Sequence, residues 1–96
     1  MSSESRKNRS AIMLIQKILE ILIRSGREGV IKSQIYSELG LKATIGEKYL
    51  EQMSQAEYII LKEEDWGQRI RTRVEITVKG KNRFEWFLTL SKELDL

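Results

Sequence analysis

The chain contains no cysteine, no histidine and no proline. Without cysteine there is neither a disulfide framework nor thiolate chemistry, and without histidine the commonest zinc ligand and the commonest general base are missing. The absence of proline leaves glycine as the main helix breaker. We therefore expect no metal site, no cofactor and no enzymatic activity, and no residue pattern points to a small-molecule ligand.

Long apolar runs are also missing. The longest, residues 11–15, is far shorter than the roughly 20 residues of a transmembrane helix. The basic N-terminus lacks both the apolar stretch and the small-residue cleavage site of a signal peptide. The 96 residues are 41% hydrophobic and 32% charged, which predicts a single soluble, cytoplasmic domain without a membrane partner.

Positive charge is unevenly distributed along the chain. The net charge is only +3, yet residues 69–83 contain six Arg or Lys against the single Glu75. Such a block favours polyanionic partners. The polar residues 1–9, which include Arg6, Lys7 and Arg9, are expected to form a flexible basic arm ahead of a domain at 10–96.

The first predicted helix is apolar on nearly every side. Ser10 can cap it, although the helix could also begin near Lys7, and it should end near residues 24–26. Ile12, Ile15 and Leu19 mark one face, and other apolar residues extend the surface around the helix. A helix of this kind is expected to be buried nearly all round. In so small a protein, a partner subunit is expected to cover part of it.

Residues 30–59 follow the helix-turn-helix pattern. Val30 and Ile31 predict a short strand, and a short helix follows around Ile35 and Leu39 until Gly40 ends it. A second helix begins at Lys42 or Thr44. Two helices joined by a short turn containing Gly are typical of this motif. The predicted inward stripe of the second helix consists of Ile45, Tyr49, Leu50, Met53 and Ala56.

The opposite face of this second helix is small and polar at its N-terminal end, where Gly46 is expected to lie. A recognition helix contacts base edges with its N-terminal residues, and small residues permit close approach. The alternative interpretation is a solvated helix face. The predicted DNA contacts of the motif are Lys32, Ser33, Lys42, Ala43, Thr44 and Lys48.

A hairpin rich in arginine follows. Residues 58–64 predict a strand, residues 65–68 a turn in which Gly67 supplies positive φ, and residues 69–76 a strand with period two. Arg69, Arg71 and Arg73 share one face with Glu75, and Ile70, Val74 and Ile76 share the other. The pair Glu63-Glu64 is interpreted as solvated.

The three arginines are expected to be exposed. Their only nearby carboxylate in sequence is Glu75, and burying unpaired guanidinium groups would be very costly. Guanidinium groups bind phosphate bidentately and can enter a narrow minor groove. Arg69, Arg71 and Arg73, followed by Lys79 and Lys81, are therefore predicted to contact the DNA backbone.

The last helix carries more apolar surface than one small core needs. Thr77 is a good N-cap, Gly80 lies early in the helix, and Phe84, Phe87, Leu88 and Leu94 form one stripe. Trp86 and Leu90 point to a different side and predict a helix–helix interface, although Trp86 could instead fold back onto the first helix. The predicted dimer interface comprises Met13, Leu14, Ile18, Ile21, Trp86, Phe87, Leu90 and Leu94.

The element order α-(β)-α-α-β-β-α predicts an α+β winged helix-turn-helix fold. The chain resembles the small dimeric winged-helix DNA-binding proteins of crenarchaea, in particular the chromatin-associated family of Sulfolobus. The matching segments are residues 32–35, 46–50, 57–60 and 77–80. This resemblance implies a nucleoid-associated homodimer that binds double-stranded DNA without a cofactor. The second motif helix and the wing would bind DNA, and residues 78–96 would dimerise.

Two departures and one alternative accompany this prediction. Glu57 stands where winged helices often have Gly, and the final helix is short for an extended coiled coil. The protein could be an architectural chromatin protein or a transcriptional regulator. Alternatively, it could be a winged-helix protein–protein interaction module, in which Trp86 and Leu90 form the docking site.

Overall fold

The computed structural model describes residues 3–94, with side chains described from residue 11 onward. Within that range the elements are α1 (Ser3–Ser25), a 3₁₀ turn (Gly26–Glu28), β1 (Val30–Ile31), α2 (Lys32–Leu39), α3 (Ala43–Gln55), β2 (Ile59–Trp66), β3 (Arg69–Ile76) and α4 (Val78–Leu94). The predicted order and the α+β winged-helix class are confirmed. None of the helices in this range combines the length and apolar character of a membrane span.

Helix α1 begins earlier than the sequence predicts. Its first residue is Ser3 rather than a residue following a cap at Ser10, so the predicted boundary between arm and domain falls within the helix. The side chains of Arg6, Lys7 and Arg9, which carry the charge of the predicted arm, lie outside the described residues.

The sheet has three antiparallel strands in the order β1-β3-β2. β3 is central: Val74 pairs with Val30 of β1, and the hairpin register runs from Ile59–Ile76 to Trp66–Arg69. The predicted turn at residues 65–68 is therefore too long, since β2 continues to Trp66. Only two residues connect the strands, and Gly67 has a φ of 66°, as the first central residue of a type II′ turn requires.

The core lies between the sheet and the first three helices. Fully burying an aliphatic side chain stabilises the fold by about 1.5–3 kcal/mol. Ile18 and Ile21, predicted at the dimer interface, belong to this core, so that prediction is wrong for both. The sheet and the other helices of the same chain cover these two side chains, which the sequence had assigned to a partner subunit. The buried apolar residues are Ile18, Leu19, Ile21, Leu22, Val30, Ile35, Leu50, Met53, Ile59 and Val74.

Close packing between α2 and α3 corrects the predicted stripe of α3. Gly46 is buried and Ile45 is exposed, the reverse of what the sequence predicted. A Cβ atom at Gly46 would lie 2.2 Å from Cε1 of Tyr36, so only glycine lets the two helices approach this closely. The predicted break at Gly40 is confirmed by its left-handed conformation and by the hydrogen bond from Leu41 N to Tyr36 O.

The entry to α4 is held by a small hydrogen-bonded network. Thr77 Oγ1 accepts a hydrogen bond from Gly80 N at 3.0 Å, which confirms the predicted cap, and donates one to Glu57 O at 2.6 Å. Glu57 has a φ of 66°, which explains why glycine is favoured at this position. A Cβ atom at Gly80 would lie 2.2 Å from Tyr58 O, so α4 packs directly on the start of the hairpin.

The contact between Gly46 and Tyr36 gives a testable prediction. Alanine at position 46 would gain about 1 kcal/mol of helix propensity, but overpacking typically costs about 1–3 kcal/mol. The ring of Tyr36 is rigid, so it cannot contract to make room for the added methyl group. We expect Gly46→Ala to lower the free energy of unfolding by about 1–2 kcal/mol in urea titrations.

The double variant Tyr36→Ala/Gly46→Ala separates the two effects. With the ring removed, adding the Gly46→Ala change to Tyr36→Ala should be neutral or stabilising. If Gly46→Ala stabilised the otherwise unchanged protein, the close contact would not limit the residue at this position.

Candidate nucleic-acid interface

The hairpin presents a basic face to solvent. Val74 and Ile59 are buried on the inward face, so the residues alternating with them point outward. We call this set the outward wing face; its four cations outnumber its two carboxylates, which leaves a net charge of +2. Its members are Ile60, Lys62, Glu64, Trp66, Arg69, Arg71, Arg73 and Glu75.

Glu64 joins two of the wing arginines. Arg71 Nε donates to Glu64 Oε1 at 2.7 Å, while Arg73 donates through Nε to Oε2 at 3.0 Å and through Nη2 to Oε1 at 2.9 Å. Arg73 Nη1 also donates to the carbonyl oxygen of Glu28 at 2.8 Å. Hydrogen bonds from Arg73, then from Arg71, lower the pKa of Glu64 to about 2.

These contacts correct two predictions. Glu64 is not simply solvated, and Arg71 and Arg73 are partly buried and paired rather than exposed without a carboxylate. The physical reason is the strand register, which places Glu64 directly opposite Arg71. A four-residue turn implies a different strand register, in which Glu64 does not stand opposite Arg71. A two-residue turn beginning with Gly67 implies the observed register. That Gly-first turn is the sequence signal that could have found it.

The tip of the wing combines an aromatic ring with two cations. The guanidinium carbon of Arg71 lies 4.3 Å from the centroid of the Trp66 ring, within cation–π range. Arg71 uses only Nε for hydrogen bonds within the described residues, so its terminal nitrogens remain available. Arg69 pairs with Trp66 across the strands, is exposed, and forms no ion pair with any described residue.

The basic residues of α4 lie apart from the wing tip. Lys79 Nζ and Arg83 Cζ each lie 5.7 Å from the centroid of the Tyr58 ring, beside the base of the hairpin. β3 separates that base from Arg69 by about 23 Å, at about 3.3 Å per residue. The predicted basic block is thus split into two groups, one at the wing tip and one, with Lys79 and Lys81, at the start of α4.

Helix α3 presents the predicted small, polar N-terminal surface. Lys42, Ala43, Thr44 and Lys48 are exposed, as is Ser33 of α2. Lys32 forms an ion pair with Glu47 of α3. The preceding residue on the chain, Ile31, pairs with Arg73 in the sheet. A continuous series of contacts therefore links the wing to α3 through Lys32.

Tyr36, which seats α3, has a hydroxyl group without a partner. The oxygen is buried and has no hydrogen bond within the described residues. Burial, followed by the charge of Glu47, raises the pKa of Tyr36 to about 12. The neutral phenol is therefore the form present at all physiological pH values. The ring of Tyr36 fills the space left by the missing side chain of Gly46, and we assign this packing role to Tyr36.

The remaining predicted interface residues divide into two groups. Met13, Trp86 and Leu94 are at least half exposed, whereas Leu14, Phe87 and Leu90 are partly buried. Trp86 packs edge-on against Phe87, with ring centroids 5.2 Å apart. A groove of about 470 Å³ runs beside them between α1 and α4. Its apolar lining residues are Leu22, Ile23, Ile76, Phe84 and Leu88.

No group of His, Cys, Asp or Glu between residues 11 and 94 is arranged to hold a metal ion. The cluster of Glu28, Glu64 and Glu75 beside the wing instead contacts cations of the chain itself. Lys62 forms an ion pair with Glu75 at 3.0 Å. Arg73 forms an ion pair with Glu64 and donates a hydrogen bond to the backbone oxygen of Glu28.

The lowered pKa of Glu64 predicts how stability depends on pH. The pKa falls from 4.5 to about 2 on folding, so this carboxylate stabilises the folded state fully above pH 4.5. The contribution is lost as the pH falls through the folded-state pKa. In thermal melts, Glu64→Gln should lower Tm by a constant amount at neutral pH, and the difference should shrink between pH 4.5 and about 2.

Glu63→Gln is the matched control for this experiment. Glu63 neighbours Glu64 but lies on the other face of the hairpin and forms no ion pair with any described residue. Its variant should follow the unchanged protein at every pH. If the Tm difference of Glu64→Gln stayed constant down to pH 2, the arginine contacts would not stabilise the fold.

Comparison with known proteins agrees with this architecture. No protein-family profile and no curated protein matches the chain. The structure is similar to that of a transcriptional regulator homologue from Pyrococcus horikoshii OT3, with a TM-score of 0.66 and 23% sequence identity. The similarity covers 100% of this chain and 93% of the other. The two proteins therefore share the same fold over all of this chain and nearly all of the other.

Proposed function

We propose that this protein binds double-stranded DNA as a homodimer, through the N-terminal part of α3 and the outward wing face. The observation that carries the proposal is the net charge of +2 on a wing face connected to α3 through Lys32. The similarity in fold to a protein described as a transcriptional regulator homologue also supports DNA binding.

Helix α3 is suited to close approach rather than to detailed base recognition. Ala43 and Thr44 are small and exposed at its N-terminus, and free backbone N–H groups there can receive a phosphate. Few of its exposed side chains can make bidentate contacts with bases. We therefore favour binding mainly through the DNA backbone, in an architectural role at chromatin like that of the Sulfolobus proteins. A sequence-specific regulatory role is the other outcome.

The three wing arginines have different roles in this proposal. Arg69 is unpaired among the described residues, and Arg71 has free terminal nitrogens, so both can contact phosphate. All three nitrogens of the Arg73 guanidinium already donate hydrogen bonds to Glu64 or Glu28. Arg73 therefore holds the wing against the 3₁₀ turn instead of contacting DNA.

This division of roles predicts distinct effects of alanine substitution. Each of Arg69→Ala and Arg71→Ala should reduce the slope of log K against log salt by about 0.9, the value for one phosphate contact on duplex DNA. Arg73→Ala should lower Tm more than either and leave the salt slope nearly unchanged. Fluorescence anisotropy with a random-sequence duplex at several salt concentrations, together with thermal melts, measures both effects.

Lys92→Ala is the matched control, because it removes the same charge near the far end of α4. Its salt slope should equal that of the unchanged protein. If the double variant Arg69→Ala/Arg71→Ala bound duplex DNA with unchanged affinity and slope, the wing would not be the DNA-binding surface. The protein–protein interaction module would then become the better proposal.

The proposed dimer uses the apolar surface of α1 and α4. Met13, Trp86 and Leu94 remain exposed after the core has formed, and the groove between the two helices exposes Ile23 and Leu88 as well. Isolated exposed apolar residues are ordinary, but a set on two packed helices is typical of an interface. A second copy related by a two-fold axis would cover the same residues on both chains.

The double variant Met13→Glu/Trp86→Glu tests this interface. Both side chains are at least half exposed, so the subunit should still fold, while buried carboxylates would oppose association. We expect a dimer for the unchanged protein and a folded monomer for the variant in sedimentation at micromolar concentration. Ile70→Glu, at an exposed position on the wing, should leave the dimer intact. An unchanged protein that sediments as a monomer would contradict the proposal.

A further inference from the structure

Trp66 is the most conspicuous side chain that the proposed function does not use. It is the last residue of β2, immediately before the two-residue turn, and therefore projects from the wing tip. Its side chain is 64% exposed. At the end of a hairpin, this large apolar ring contributes nothing to the core, and a polar residue would serve equally well in the fold.

One face of the Trp66 ring is already occupied. Arg71 lies over it at 4.3 Å from the centroid, and Glu64 fixes Arg71 through Nε at 2.7 Å. Glu64 is in turn fixed by Arg73, so the stack of Arg71 on Trp66 is held in place before any ligand arrives. Insertion between two paired bases would need both faces of the ring. Trp66 offers a single open face, which suits one flat partner.

The charges around the ring indicate the class of that partner. Arg69 stands opposite Trp66, and the terminal nitrogens of Arg71 are free beside it. Two cations flanking an aromatic face suit a nucleotide, whose base stacks while its phosphates bind the guanidinium groups. An apolar peptide would use the ring but would leave both cations desolvated without partners.

We propose that Trp66, with Arg69 and Arg71, forms a binding site for an unstacked nucleobase. The base would come from a single-stranded segment of DNA or from a bulged nucleotide in a duplex. Glu64 is the positioning residue of this site, because it orients Arg71 over the ring. The inference rests on the proposed function, which brings the wing to DNA, and adds a preference for DNA that contains an unpaired base.

The test compares three probes: an oligothymidylate of about 12 nucleotides, a duplex with one bulged thymidine, and the same duplex fully paired. Affinity is measured by anisotropy and the environment of the ring by tryptophan fluorescence. The bulged duplex and the oligothymidylate should quench the fluorescence, and the bulged duplex should bind more tightly than the paired one. Trp66→Ala should weaken binding to both unpaired probes about tenfold, the effect of losing one base–aromatic stack.

Two further variants make the result specific to the ring. Trp66→Phe should retain most of the affinity but lose the quenching, because phenylalanine still stacks while the reporting tryptophan is gone. Ile70→Ala, at a wing position that is 68% exposed and on the opposite face, should leave both affinity and quenching unchanged.

The outcomes separate this site from the proposed function. Equal affinity of Trp66→Ala and the unchanged protein for all three probes, without quenching, would overturn the nucleobase site even if paired duplex is bound. DNA-dependent quenching that persisted in Trp66→Phe would also overturn it, since the signal would then come from Trp86, the other tryptophan of the chain. Failure to bind paired duplex, with quenching by oligothymidylate retained, would overturn the duplex function and support the site.

Discussion

The alternation of side chains along β3 is the constraint on which the rest of the structure depends. β3 lies between β1 and β2, so one of its faces must be covered for the domain to have a core. Val74 is fully buried on that face, and the neighbouring Arg73 must therefore point outward. A register shift of one residue would move guanidinium groups into the core. Burial of Val74 thus fixes where the basic charge of the wing is displayed.

The position of Glu64 changes how this charge is used. Isolated surface ion pairs contribute little to stability, but a carboxylate shared by two arginines through several hydrogen bonds forms a network of defined geometry. The network connects β2, β3 and the turn before β1, because Arg73 also binds Glu28. The wing is therefore expected to be stiff along its middle, and its cations available for ligands are concentrated at its tip.

Close backbone contacts place α3 and α4 relative to the hairpin. Gly46 brings α3 against the ring of Tyr36, and Gly80 brings α4 against the backbone of Tyr58. The tight packing of α2 on α3 has a consequence at Tyr36, whose hydroxyl is buried without a partner among the described residues. The position of α3, which carries the proposed DNA contacts, is therefore set by shape complementarity with α2 at Tyr36, and the exposed ion pair of Lys32 with Glu47 adds a polar contact between the two helices.

Several features of the fold follow from local patterns and could be predicted from the sequence. The period-two alternation of residues 69–76, the break at Gly40 and the cap at Thr77 each depend on the residues next to them in the chain. The order of elements follows from such local signals. For the same reason, the sequence identified the hairpin and its basic face, together with the exposed residues at the start of α3.

Other features depend on residues that are distant in sequence and meet only in the folded chain. Periodicity alone favoured Ile45 as the inward residue of α3, but the ring of Tyr36 made Gly46 the residue that fits. The burial of Ile18 and Ile21 within one subunit could not be predicted either, because the sequence of α1 does not show which other elements of the chain cover it. The pairing of Glu64 with Arg71 and Arg73 required the strand register, which shifts when the turn length changes. Local sequence determined which elements form and which faces are apolar, while tertiary packing decided which cations are neutralised, because charge pairing depends on distances across the fold.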